Sequence, residues 1–458
     1  MVSATTYKKT KIIATIGPAS EEKIEQLLSA GVNGVRLNFS HGIHSWHKDI
    51  IHKTRTAAKK LDRSVAIIQD LQGPKIRLGS LPSGGVDLKA GQQIDLFLGK
   101  KYQAGSMPVQ FDFSKSVKVG HRVLLRDGTV QTIAKKIVGN KITVEIKNSG
   151  KVFSNQGINL PDTVFDSQDI LTQKDLDDLK FGYVNDIDYV ALSFVQSAQD
   201  ILFLKKMLIK NNSKAKVIAK IETRQAANNL ESIIEAADAV MIARGDLATE
   251  TSNEDVPLIG REIIQLARKY KKPSIMATQM LESMISSPQP TRAEVNDIAT
   301  AVSLGVSCVM LSGETAAGQY PVDTVKLMKR VILRSEEYFA KNRLEIDVLP
   351  TSNREPQELD VDYAEQLGPI KRFVTSSKKI FTNNKVGKTA SVLAQNSVSL
   401  AAITLAEQVG AKLILAETIT GSTALSISSL RPLMPIIIAS PEEKRAIKWL
   451  LSGVVSHT

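Results

Sequence analysis

A single cysteine in 458 residues, Cys308, leaves the chain unable to form an internal disulfide. It lies in the apolar run VSCVML, where a thiol packs as a small hydrophobe rather than acting as a nucleophile. Such cysteine poverty points to a reducing, cytoplasmic setting. Long apolar runs are missing too, and the opening MVSATTYKKT has no signal-peptide core, so neither membrane insertion nor secretion is expected. Phe, Trp and Tyr make up only 5% of the chain, too few to interleave with basic residues as a nucleic-acid stacking platform does. The histidines 41, 44, 47, 52, 121 and 457 show no spacing with cysteine or carboxylates that marks a transition-metal site. Acidic residues are outnumbered, 47 Asp and Glu against 59 Lys and Arg, for a net charge of +12. The excess is concentrated between Lys371 and Thr458, with eleven basic and four acidic residues. That balance suits an anionic small substrate or nucleic acid and by itself does not choose between them.

What is present is an ordinary globular composition, 43% apolar and 23% charged, in a chain long enough for two or three domains. Eight short apolar runs punctuate it: KIIATIG (11–17), GVRLNFS (34–40), VAIIQD (65–70), DYVALSF (188–194), VIAKIE (217–222), AVMIARGD (239–246), SIMATQM (274–280) and CVMLSGE (308–314). Segments of helical period separate most of them, such as residues 21–29 and 256–271. Eight such units predict a closed (β/α)8 barrel, in which polar residues at the strand ends converge on one mouth.

The gap between Asp70 and Asp188 reads differently. Its alternating apolar residues and turns at 89–91, 127–128 and 139–140 predict an all-β insert leaving from a strand end, placed to act as a lid or as a passive decoration. The expected organisation is a barrel over 1–72 and 162–343, a lid over 73–161, a polar linker over 344–366 and a smaller α/β domain over 367–458. In that last domain the Thr418–Thr423 loop is either a phosphate cradle or an ordinary helix cap.

Residues 217–250 are the centre of the chain. Two apolar runs, each ending in charge, flank about one helix: Lys220 and Glu222 after the first, Arg244, Gly245 and Asp246 after the second. A parallel crossover returns both clusters to the same sheet edge. Two carboxylates brought together repel unless a cation lies between them, and a hard oxygen-seeking ion such as Mg2+ or Mn2+ answers that need. A surface ion-pair network is the alternative.

The motifs KTKIIATIGPAS, GVRLNFSHG, GPKIR, INLP, AKIET, ARGDL, ATQMLESMI, PTRAEVNDIA and LSGETAAGQYP, in this order, resemble the pyruvate kinase family over residues 9 to about 335, and more loosely beyond. The resemblance implies a phosphoryl transfer from phosphoenolpyruvate to ADP. It implies Glu222 and Asp246 as magnesium ligands, Lys220 as the cation beside the transferring group, and Arg36 as the phosphate grip. The backbone of Gly245 and Asp246 is implied as the carboxylate site, and Thr278, with Ser312 and Glu314, as the relay that protonates the enolate. Pro18, His41 and Arg77 match nucleotide positions, and Gln156 stands where many members place a lysine.

Members that need potassium hold it at positions matching Asn38, Ser40, Asp70 and the carbonyl of Leu71, and carry a glutamate where this chain has Lys75. DLQGPKIRL therefore resembles the potassium-independent branch, with the Lys75 ammonium as internal replacement. The resemblance does not extend to the family's last two strands and effector loop, so sugar-phosphate activation is not implied. A homotetramer is expected, or a dimer should the shortened terminal domain weaken one interface. A magnesium-dependent carbon–carbon lyase and a non-catalytic RNA-binding protein are the competing readings.

Overall fold

The computed structural model describes residues 8–165, 170–347, 388–418, 421–439 and 455–456. Each of the eight expected runs contains one strand: β1 (Lys11–Thr15), β2 (Gly34–Asn38), β3 (Ala66–Asp70) and, after the insert, β12 (Tyr189–Leu192), β13 (Lys216–Ile221), β14 (Ala239–Ala243), β15 (Ser274–Ala277) and β16 (Cys308–Leu311). They close a parallel barrel in the order β1-β16-β15-β14-β13-β12-β3-β2. Arg36, Asn38, Asp70 and Lys220 lie in the last residues of their strands, and Ser193, Glu222, Asp246, Thr278 and Ser312 follow strand ends, so all of them fall at the C-terminal mouth.

Side-chain alternation divides the barrel into two shells. Ile13, Ile68, Tyr189, Ile218, Met241, Cys308 and Met310 fill the interior, while Ile12, Ile67, Val190, Val217, Val240 and Val309 face the surrounding helices. Burial pushes the Cys308 thiol up to about 12, which leaves no thiolate at neutral pH. The helices begin where the caps allow. Thr172 and Asp175 form a capping box for Gln173–Val184, and Thr291 and Glu294 do the same for Arg292–Ser303. The first helix is shorter than its periodicity suggested, Ile24–Ala30, because residues 18–22 turn; the later one spans Val256–Lys269 and stops before Lys271, whose φ is +55°.

The insert is all β. Strands β4 (Val86–Leu88), β5 (Gln93–Leu98), β6 (Ser106–Val109), β7 (Arg122–Leu125), β8 (Val130–Val138), β9 (Lys141–Ile146), β10 (Gly150–Val152) and β11 (Ile158–Asn159) form a six-stranded sheet, β11-β7-β8-β9-β5-β6, and a β10-β4 pair. Its own core includes Leu78, Ile94, Leu96, Val123, Leu125 and Val144. Gly73 is the hinge. Its φ is +67°, and a Cβ there would lie 2.9 Å from the Ser193 Cβ and 3.1 Å from the Phe194 ring, so only glycine lets the chain leave β3 this close to the mouth.

After β16 a short helix, Gly313–Ala316, precedes a long one that runs from Pro321 to Asp347. Residues 344–347, read from sequence as the start of a linker, therefore continue that helix; the rest of the expected linker lies outside the described residues. Beyond it, helices Lys388–Gln408 and Ser422–Ser429 accompany a parallel sheet of β17 (Ile414–Glu417), β18 (Ile436–Ala439) and β19 (Val455–Ser456). Arg431 ties this unit to the barrel, donating to the Thr10 hydroxyl and the Val306 carbonyl, both at 3.2 Å. Part of the Thr418–Thr423 loop and the segment EEKRAIKWLLSG lie outside the described residues. No described helix is long and apolar enough to cross a membrane.

Candidate active site

The period of two that puts Ile218 inside the barrel also turns Lys220 and then Glu222 to the same face, at the mouth. Ile68 and Asp70 on β3 follow the same rule, as do Gly34, Arg36 and Asn38 on β2. Above the apolar interior the barrel thus carries a polar layer drawn from several strands.

Within that layer Asp70 is the hub. Arg36 Nε donates to its Oδ2 at 2.6 Å, and the Lys220 ammonium lies 3.3 Å from its Oδ1. Arg36 also donates to the Thr15 hydroxyl at 3.1 Å. Burial alone would raise the Asp70 carboxyl, but Lys220 and Arg36 outweigh it and hold the group below its usual range. The same balance keeps Lys220 charged: burial works against the ammonium, and Asp70 and Glu222 raise it above the ordinary lysine value. Lys220 also donates to Ser193 Oγ at 2.7 Å, which in turn donates to the Leu71 carbonyl at 2.7 Å.

Glu222 has an incomplete shell. Its Oε1 accepts from the Phe194 N–H at 2.8 Å, from a residue held at φ +56°. Its Oε2 is buried without a hydrogen bond, with the Lys220 ammonium 3.3 Å away. Burial pushes this carboxyl up to about 7, and neighbouring Asp246 adds to the rise. A buried carboxylate oxygen with an open lone pair, and a second carboxylate, Asp246, among its electrostatic neighbours, fit the sparse protein set that magnesium keeps. Asp246 has the Lys75 ammonium 3.5 Å from its Oδ1. The charge Lys75 brings therefore faces Asp246, while Arg36 and Lys220 pair with Asp70. At the expected monovalent position, Asn38 Oδ1 accepts from the Ser40 N–H at 3.1 Å.

Thr278 closes the other side. Its hydroxyl donates to the Ala277 carbonyl at 2.7 Å and accepts from the Gly245 N–H at 3.1 Å. Gly245, expected to offer its amide to a carboxylate, thus has that amide engaged by Thr278. Thr278 and Gln279 stand at φ +66° and +54°, a left-handed conformation that costs a side-chain-bearing residue about 1–3 kcal/mol and clusters at functional sites. Glu314 is 2% exposed and accepts from the Leu281 and Ser312 N–H groups at 3.2 and 2.7 Å. Ser312 is half-buried beside it.

Residues 7–325 match the family described as "Pyruvate kinase, barrel domain", and residues 396–457 match "Pyruvate kinase, alpha/beta domain". The chain belongs to the pyruvate kinase family. It is 37% identical to a pyruvate kinase of Agrobacterium vitis over 98% of this chain and 86% of that one, and 35% identical to a pyruvate kinase of Staphylococcus aureus over 98% and 72%. A crystal structure of a pyruvate kinase from Cryptosporidium parvum superposes with a TM-score of 0.82 at 32% identity, covering 100% of this chain and 88% of that one.

The positions that match pyruvate kinase nucleotide contacts form two groups. Pro18 and His41 are exposed on loops after β1 and β2. Arg77 and Gln156 belong to the lid, where Arg77 pairs with Gly157 in an isolated bridge. Both lid side chains serve their own fold: Arg77 donates to the Asn155 carbonyl at 2.9 Å, and Gln156 Oε1 accepts from the Phe153 N–H at 2.8 Å.

Three participants carried no assigned role in the sequence reading. Ser193 stood among the strand-end polar residues, and Arg244 stood within the central cluster. Glu250 had no signal at all; its carboxylate accepts from lid Asn159 Nδ2 at 3.0 Å and so joins lid to barrel. A cavity of about 40 Å³ beneath that joint is lined by Pro74, Asn159, Phe194, Thr223 and Glu250.

Proposed function

We infer that the chain transfers the phosphoryl group of phosphoenolpyruvate to ADP, giving pyruvate and ATP. The observation that carries this reading is the buried convergence of Arg36, Asp70, Lys220 and Glu222 at the C-terminal mouth, with Asp246 among their electrostatic neighbours. Preoriented positive charge in a site of low dielectric is what a transferring phosphoryl group and a developing enolate require.

In this reading Arg36, steadied by Asp70 and Thr15, keeps its other terminal nitrogen for a phosphate oxygen. Lys220 is held by Ser193 and two carboxylates, so its ammonium needs no reorganisation as the bond from phosphorus to the enol oxygen breaks and the bond to the ADP oxygen forms. Glu222 and Asp246 would hold Mg2+ or Mn2+, which when bound neutralises charge on the phosphoryl and enolate oxygens. The enolate left behind takes a proton at its methylene carbon through the Thr278 hydroxyl, which passes on a solvent proton because a hydroxyl lacks the pKa to supply one alone. Pro18, His41, Arg77 and Gln156 are proposed to meet the nucleotide.

The same reading extends to potassium. The Lys75 ammonium beside Asp246 supports a mouth that supplies its own monovalent charge. The homotetramer usual in the family, or a dimer, and a cytoplasmic setting complete the proposal. One experiment tests the set: ADP-dependent pyruvate formation from phosphoenolpyruvate in tetramethylammonium salts, with and without potassium, on a preparation whose mass is read by sedimentation. Turnover that is near full without potassium is expected. Absence of turnover in either salt would remove the catalytic reading, and a strong potassium requirement would remove only the role of Lys75.

A further inference from the structure

Arg244 has no part in the reaction as derived above, yet its side chain is only 14% exposed at the edge of the mouth and makes more contacts than an ion pair needs. Its Nε donates to the Ala277 carbonyl at 3.2 Å. One terminal nitrogen donates to the Thr278 carbonyl and lies 3.0 Å from Met280 Sδ. The other terminal nitrogen pairs with Asp297. The next residue, Gly245, donates its N–H to the Thr278 hydroxyl. Residues 244 and 245 therefore grip residues 277 and 278 from both sides.

What they grip is strained. Thr278 and Gln279 are consecutive residues with side chains in the left-handed region, and Thr278 is β-branched, the type that resists it most. Such a turn persists only where its surroundings over-determine it. Packing alone does not do so here, because a cavity of about 250 Å³ borders Arg244, Met276, Gln279 and Thr300 and gives the turn room to relax.

We propose that Arg244 is the positioning residue for the Thr278 hydroxyl: its planar fork holds the 278–279 turn in the one conformation that presents the hydroxyl to the enolate. This rests on the reading that Thr278 relays the proton. Lysine is no substitute, since a single ammonium reaches Asp297 or a carbonyl but cannot hold two carbonyls and a carboxylate in one plane.

The test uses the full-length protein and two readouts, steady-state turnover and the exchange of deuterium from solvent into the methyl group of pyruvate in the presence of Mg2+ and ATP, followed by NMR. The wild type must turn over, which separates failure of the underlying reading from failure of this one. Arg244→Met is expected to lower kcat and methyl exchange together by roughly 100-fold, the scale of an ångström-sized misplacement, with KM for phosphoenolpyruvate changed less than about threefold. Thr278→Ala added to Arg244→Met should lower them little further, because both changes remove the same event. Asp297→Asn removes the ion pair and leaves both carbonyl contacts, so it should retain most of the activity. Multiplicative losses in the double variant, exchange that survives in Arg244→Met, or an Asp297→Asn variant as impaired as Arg244→Met would overturn the proposal. If Arg244→Met does not fold, Arg244→Lys takes its place: a parallel fall in kcat and exchange supports the proposal, and unchanged exchange overturns it.

Discussion

The barrel mouth and the lid both carry charged and polar side chains, yet they are built in opposite ways. At the mouth the side chains hold one another. Asp70 lies between Arg36 and Lys220, Lys220 lies between two carboxylates and Ser193, and one oxygen of Glu222 is left open. In the lid they hold their own backbone, Arg77 on Asn155 and Gln156 on Phe153. The mouth is therefore organised before any substrate arrives, which is where electrostatic stabilisation is strongest. The lid must give up bonds to engage a ligand, so its effects belong in binding more than in rate.

Removing a member of the mouth is the most severe way to test that contrast. Lys220→Met should lower kcat by on the order of 10³-fold. It should also cost about 3–5 kcal/mol of stability, because Asp70 and Glu222 lose their shared cation in a buried site. Urea unfolding beside steady-state assays checks both; a variant with a tenth of wild-type activity would mean the mouth is not the electrostatic centre.

The joint between the two regions is next. Glu250, 4% exposed, binds lid Asn159, and burial pushes its carboxyl from an ordinary 4.5 up to about 7. The folded protein keeps this proton across that window while the unfolded chain has released it. The contribution of this group to stability is therefore complete below about 4.5 and is lost as pH rises through about 7. Glu250→Gln keeps the acceptor and removes the titration. Its stability relative to wild type should climb from near zero at the acidic end to at most ~3 kcal/mol above neutrality. Denaturant midpoints at several pH values give the slope, and a difference that stays flat would exclude a buried titrating Glu250.

The lid should answer most weakly. Gln156→Lys adds a cation at a half-buried lid position and is expected to lower KM for ADP by about two- to fivefold with kcat unchanged. The gain should shrink at high salt. A change in kcat instead would place the lid with the mouth.

Much of this was legible beforehand, for identifiable reasons. The barrel strands announced themselves through length and period, and the lid through its alternation and turns. The pairing of Lys220 and Glu222 with Asp246 followed from the geometry of a parallel crossover. Other assignments depended on neighbours far along the chain. Lys75 stands 3.5 Å from Asp246, 171 positions further on, a partner that no local pattern names. Glu314 accepts from the N–H groups of Leu281 and Ser312, the first of them 33 positions away. Arg244 and Glu250 gave no sign of their partners, since neither lies within a local motif with them.

The amino-acid order by itself determined the barrel, the place of the insert and the set of residues that reach the mouth, because strand alternation and crossover direction are local rules that repeat along the chain. Only the tertiary structure decided which cation neutralises which carboxylate, which Glu222 oxygen stays open and which arginine holds the Thr278 turn. Those choices depend on distances of a few ångströms between side chains from different strands and loops, and no periodicity within one segment encodes them.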